Sequence, residues 1–106
     1  MNLVEIRTNC PDRATAERIA ERLVAARLAA AVNIGSGIDS IYRWQGGVEP
    51  ASEVPLSVKT RAEHFDAVAR EVAALHPYRV PAIVATEISA AAPYAEWIVA
   101  ATAPAG

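Results

Sequence analysis

The sequence predicts an α+β fold in which one antiparallel sheet carries two helices on one face. Three observations predict it. Strand-like and helix-like patterns succeed one another in the order β-α-β-β-α-β, 53% of the 106 residues are hydrophobic, and no linker, repeat or low-complexity run divides the chain. A chain of this size removes roughly two thirds of its unfolded surface from water on folding. Residues 1–106 are therefore expected to form a single domain with one core.

The first strand is NLVEIRTN, residues 2–9, where Val4, Ile6 and Thr8 alternate with Leu3, Glu5 and Arg7. Pro11 and Asp12 supply helix-start chemistry, and Ala16, Ile19, Ala20, Leu23 and Val24 recur at helical spacing opposite Glu17, Arg18, Glu21 and Arg22. The first helix is expected from about Asp12 to Leu28. The segment AAAVNIGSGIDSIYRW reads as a long second strand kinked at Gly35-Ser36-Gly37, where the glycines signal a bulge or bend. A tight hairpin turn is expected at Gly46-Gly47, followed by a polar stretch.

In the third strand Val54, Leu56 and Val58 oppose Pro55, Ser57 and Lys59. Pro55 lacks a ladder donor and so marks a bulge or an edge. Thr60 followed by Glu63 has the form of a capping box before a second helix with the stripe Phe65, Val68, Ala69 and Val72, which Pro77 stops. PAIVATEI is the fourth strand, and Pro93 opens a short added helix with Tyr94, Trp97 and Ile98 on one side. The tail TAPAG is expected to fray. This order is the ferredoxin-like βαββαβ plan with an extended hairpin between the second and third strands and an added C-terminal helix.

Charge and composition narrow the function. Ten basic against twelve acidic residues give a formal net charge of -2 with no Lys/Arg run, which argues against nucleic acid as a partner. No segment reaches the ~18 apolar residues of a membrane span, and Glu5 and Arg7 interrupt any N-terminal apolar region, so a cytoplasmic protein without membrane contact is expected. The single cysteine, Cys10, excludes an intrachain disulfide and by itself makes no thiolate cluster. It stands near a helix start, where a thiolate is favoured, although a small buried filler is the commoner role.

Sheet strands in such a domain need about 5–6 residues, whereas residues 38–44 carry the second strand roughly 23 Å further at ~3.3 Å per residue. An uncovered arm bearing Ile38, Ile41, Tyr42 and Trp44 invites aggregation, so a neighbouring subunit is expected to cover it.

The stretches ERLVAARLAAAVNI, SIYRWQGGVEPASEVPLSVKT, LHPYRVPAIVA and YAEWI together resemble the CutA divalent-cation tolerance family over nearly the whole chain. Tyr42, Trp44, Gly46, Glu53, Lys59, Thr60, His76, Pro77, Tyr78, Pro81 and Trp97 stand where the family pattern has them. The resemblance implies a homotrimer built by the hairpin, with Ile41, Tyr42, Trp44 and Trp97 at its interface, and an association with tolerance to copper and other divalent ions. It also implies kinship of shape with trimeric PII signalling proteins. Ala31 stands in place of a family cysteine, which removes a soft ligand suited to copper(I), and Ala82 and Glu87 also depart from the pattern. One cysteine and two histidines leave only weak binding of copper or another divalent metal as the expected cofactor chemistry.

His76 is either a metal ligand or proton carrier, or a helix-end residue that caps carbonyls before Pro77. His64 is expected to be a solvated side chain. Lys59, Glu53, Tyr42 and Tyr78, with His76, are expected at a subunit cleft, either as a site for a small anion or a metal or as an inter-subunit salt bridge with tyrosine hydrogen bonds. No nucleophile elbow, phosphate-cradling glycine loop or His-x-x-x-His pair is present, so an enzyme is not expected. A binding protein of cation tolerance is the first expectation, and a PII-like trimer holding a small effector between subunits is the alternative. The short hairpin turn speaks against the latter.

Overall fold

The computed structural model describes residues 2–104. Five strands and three helices follow in the order β1 (Leu3–Cys10), α1 (Arg13–Ala25), β2 (Ala31–Ile34), β3 (Ile38–Trp44), β4 (Gly47–Arg61), α2 (Phe65–Leu75), β5 (Val84–Ile88) and α3 (Ala92–Ala101). The sheet order is β2-β4-β1-β5, every pairing is antiparallel, and β3 joins β4 beyond the end of β2. This is the expected ferredoxin-like plan with its projecting hairpin and third helix.

Alternation along β1 and β4 decides which side is buried. Val4, Ile6, Leu56 and Val58 point to one face, where Ile19 and Leu23 of α1 and Val68 and Val72 of α2 close over them. Each such side chain contributes about 1.5–3 kcal/mol by leaving water. Leu3 points the other way and packs with Ala30 and Ile98, so α3 covers one end of the opposite face. The Asp12 carboxylate caps α1 by accepting from the Thr15 N–H at 2.8 Å.

Several boundaries differ from expectation for identifiable reasons. The first helix ends at Ala25 rather than Leu28 because Arg27 adopts a left-handed φ of 60°. Val24, placed on the apolar stripe by its spacing, is exposed. The expected long second strand is two strands on one continuous partner. Ile34 pairs with Leu56 and Ile38 with Glu53, so three residues oppose two and one is extra. Gly35 donates its N–H to the Pro55 carbonyl, which places Pro55 at this bulge in an interior strand and not at an edge.

The hairpin turn falls on Gln45 and Gly46, with φ of 48° and 81°, one residue before the expected glycine pair; Trp44 faces Gly47 across the ladder. Two left-handed central residues suit the twist of a tight hairpin. β4 starts directly at Gly47, so the expected polar stretch is strand as well. No capping box forms. β4 continues through Thr60 to Arg61, a 3-10 turn spans Ala62–His64, and the Thr60 hydroxyl donates to the Leu28 carbonyl instead.

At the other end, β5 begins at Val84, after Pro81, Ala82 and Ile83. The tail does not fray at Thr102, which is buried and bonded to the Ile98 carbonyl at 2.7 Å. Arg61 donates to Thr102 Oγ1 at 2.8 Å and Arg27 to the Ala100 carbonyl at 3.0 Å, so cations meet the carbonyl end of α3. The final residues 105–106 of the tail lie outside the described residues.

Candidate functional site

Strand parity sorts the hairpin side chains into two sets. Ile38, Ser40, Tyr42 and Trp44 of β3 share one face with Glu53 of β4, while Ile41 lies on the other face with Val48. The arm is therefore not the single apolar face that its composition suggested. Ile41 and Val48 are 80% and 60% exposed. Trp97 is also exposed, on α3, where its ring lies 5.5 Å from that of Tyr94; Ile98 alone of the three turns inward.

At the base of the arm, Tyr42, Trp44 and Glu53 meet Tyr78, Arg79, Val80 and Ala82 from the segment between α2 and β5, together with Asn9 and Ser40, around a pocket of about 540 Å³. Glu53 is only 8% exposed. The Tyr78 phenol is pushed up to about 12, first by burial, then by its hydrogen bond to Glu53 and by that carboxylate's charge. Three of the five expected cleft residues thus converge within one subunit.

His76 lies beneath this wall and not in it. Its Nε2 is 2.7 Å from the Asn9 carbonyl and its Nδ1 accepts from the Tyr78 N–H at 3.1 Å, so both ring nitrogens are committed to backbone. The ring centroid is 4.6 Å from that of Tyr78. The expected helix-end role holds in a modified form: His76 is the C-cap residue of α2, but its imidazole ties β1 to the following loop. His64 is half-buried, 3.3 Å from the Thr60 hydroxyl, and not the solvated side chain expected.

Lys59 is absent from the pocket. Its Nζ donates to Ser57 Oγ at 2.6 Å and Asn33 Oδ1 at 3.2 Å and lies 3.7 Å from Glu5 Oε2, across the sheet. Six residues of strand separate Lys59 from Glu53, roughly 20 Å at ~3.3 Å per residue, so one small cleft does not hold both. Without Lys59 the pocket has a carboxylate where a small anion would need a cation. Sequence reasoning missed Asn9, Ser40, Arg79, Val80 and Ala82. For Ser40 the signal was present in its even-numbered parity with Tyr42 and Trp44, whereas the others reach the pocket through loop geometry.

Cys10 is fully buried, and burial first, then the charges of Asp12 and Glu53, push its thiol up to about 11. It is a core filler. Among the described residues no group of three or more His, Cys, Asp or Glu side chains is placed to hold a metal ion. The donor set of one subunit does not fit a resident divalent metal.

Sheet order, the projecting hairpin and the helix on the second face define a ferredoxin-like subunit with a pocket at the base of its arm. The chain belongs to the CutA1 divalent ion tolerance protein family, whose model matches residues 4–101. It is 47% identical over 89 residues to the divalent-cation tolerance protein CutA of Thermus thermophilus, covering 83% of this chain and 86% of that one. The crystal structure of CutA from Xylella fastidiosa superposes with a TM-score of 0.92 at 40% identity, covering 97% of this chain and 100% of the other. The Archaeoglobus fulgidus CutA structure gives 0.92 at 39% identity, covering 95% and 99%. The chain spans about half the length of the mouse and Arabidopsis relatives, 51% and 49%.

The comparisons correct the expected cytoplasmic location. The Archaeoglobus protein is named as periplasmic, and the Arabidopsis and rice relatives as chloroplastic. Address segments are read apart from the fold they accompany, so charge and apolar pattern within a domain do not give its compartment. Among the described residues no helix is long and apolar enough to cross a membrane.

Proposed function

We propose that three copies of this chain assemble through the hairpin arm and act in divalent-cation tolerance by binding a metal ion or another protein rather than by turnover. The observation that carries the reading is the outer face of the arm, where Ile41 and Val48 stand 80% and 60% exposed on a strand pair that projects past the core. A protruding apolar strand face is an aggregation hazard that a second and third copy remove. Trp97 and Tyr94 on α3 offer a further apolar surface for the same assembly.

The curated relatives are named as tolerance proteins, in keeping with binding rather than catalysis. Since one subunit offers no closed donor set, copper or another divalent ion is met weakly and by groups from more than one subunit. A PII-like signalling trimer fits less well, because the hairpin closes in a two-residue turn and carries no long effector loop. Sedimentation of the 11.2 kDa chain tests assembly. A species of three times that mass is expected, and Ile41→Arg should reduce it to the subunit. A folded wild-type monomer at micromolar concentration would refute the reading, as copper binding at sub-nanomolar affinity against a competing chelator would refute weak metal contact.

A further inference from the structure

The pocket at the base of the arm holds a buried carboxylate with no counter-charge. Glu53 is 8% exposed, and the ion pairs among the described residues are Arg13–Glu17, Arg22–Glu71 and Lys59–Glu5, none of which includes it. Its polar support is the Tyr78 phenol, which remains a neutral donor through the physiological range because its titration lies near 12. A carboxylate taken out of water is strongly unfavourable unless a cation meets it.

The walls around Glu53 say which cation fits. Tyr42 and Trp44 project from the same face of β3 and Tyr78 stands on the loop after α2, so three aromatic rings line the approach to one carboxylate. Aromatic faces are electronegative and attract organic cations, whereas a bare divalent metal ion requires several oxygen, nitrogen or sulfur ligands. Those ligands are missing. The His76 nitrogens are bonded to backbone, and the Cys10 thiol is fully buried. A single negative charge matches a single positive one, and the volume of about 540 Å³ falls within the ~300–1,000 Å³ of small-molecule sites. Arg79, exposed on the lining, disfavours a second positive charge at the mouth.

We propose that this pocket binds a small organic monocation, an ammonium or guanidinium head on an apolar body, with the head against Glu53 and the body against Tyr42, Trp44 and Tyr78. The pocket is built from residues of one subunit, so the inference stands or falls separately from trimer assembly.

The test is calorimetric titration of the purified protein with phenethylammonium, with neutral 2-phenylethanol, and with copper and zinc salts, each repeated on Glu53→Gln and Tyr78→Phe. The wild type should bind phenethylammonium and not the alcohol, and Glu53→Gln should weaken that binding at least about tenfold, as expected when one partner of a desolvated charge pair is removed. Tyr78→Phe keeps the ring and should bind more weakly than wild type but more tightly than Glu53→Gln. Far-UV circular dichroism and sedimentation check that both variants remain folded and assembled. Failure of the wild type to bind phenethylammonium up to ~10 mM, well above the range of a useful small-molecule site, overturns the inference. Equal binding of the alcohol overturns it, and so does undiminished binding in a folded Glu53→Gln. If instead Glu53→Gln disrupts assembly while the wild type binds no organic cation, the carboxylate belongs to a partner chain's Lys or Arg and the pocket is an interface socket.

Discussion

The imidazole of His76 bridges to the backbone carbonyl of Asn9 at 2.7 Å while its other nitrogen receives the Tyr78 N–H at 3.1 Å, so one side chain joins the end of β1 to the loop that walls the pocket. Both bonds require a neutral ring with the proton on Nε2. Removing the ring leaves a buried carbonyl and a buried N–H without partners and opens a cavity beneath Tyr78. His76→Ala should therefore destabilise the fold by about 2–4 kcal/mol. Denaturant unfolding measures it. Because the ring nitrogens are already committed, copper and zinc titrations of a folded variant should match wild type; a stable His76→Ala that had lost metal binding would reverse this assignment.

Gly35 and Pro55 make the bulge that lets one long strand serve two partners. A Cβ built at Gly35 would lie 2.8 Å from Pro55 Cγ, a ring atom with little freedom to retreat. Gly35→Ala should cost about 1–3 kcal/mol through local overpacking. The arm continues from this point, so the variant should also lower the stability of any assembly built on the hairpin. Chemical denaturation and sedimentation read the two effects separately, and a Gly35→Ala protein as stable as wild type would show that the strands part more easily than the contact implies.

How much of this was legible in the sequence depended on whether each segment packs on the core. Ile19, Leu23, Val68 and Val72 carry helical spacing because they face the sheet, and Val4, Ile6, Leu56 and Val58 alternate because one side of their strands is buried. Residues 47–53 are equally strand but pack on no core, so burial imposed no alternation on them and they read as a polar loop. The pocket was half legible. Tyr42, Trp44 and Glu53 were singled out by residue type, but their convergence with Tyr78 depends on the placement of the loop after α2, and no local pattern encodes that. Lys59 was misplaced because its strand was treated as one end of the sheet, when six residues of extension carry it away from Glu53.

Glu5 answers to its sheet neighbours. The Ser57 hydroxyl is the first cause of its lowered pKa, against a smaller opposing effect of burial, with the Lys59 and Arg7 charges assisting. A carboxyl whose folded pKa is lowered contributes stability above its unfolded value of about 4.5, and that contribution is lost as pH falls through the folded value. Partial exposure keeps the effect small, about 1 kcal/mol or less. Glu5→Gln should therefore flatten the acid limb of the stability curve below pH ~4.5 relative to wild type. Urea midpoints collected from pH 3 to 7 make the comparison, and parallel acid limbs in the two proteins would assign the loss of stability to other carboxyls.

Cys10 should be silent toward thiol reagents until the fold opens. It is fully buried at the end of β1, and its thiol is pushed up to about 11 by burial first and then by the charges of Asp12 and Glu53. At neutral pH the thiolate, which is the nucleophile and the soft metal ligand, is scarce, and the reagent has no path to it. Native protein should react with iodoacetamide at pH 7.5 at least about a hundredfold more slowly than protein in denaturing urea, since a pKa two units above the ordinary value alone removes that factor. Mass spectrometry of the alkylated chain gives both rates. The same measurement after incubation with copper(I) separates a structural thiol from a ligand: protection should be identical with and without the metal, because Ala31 supplies no second thiol and Cys10 offers none to solvent. Rapid native alkylation that copper(I) suppresses would make Cys10 a metal ligand and displace the reading of the core around it.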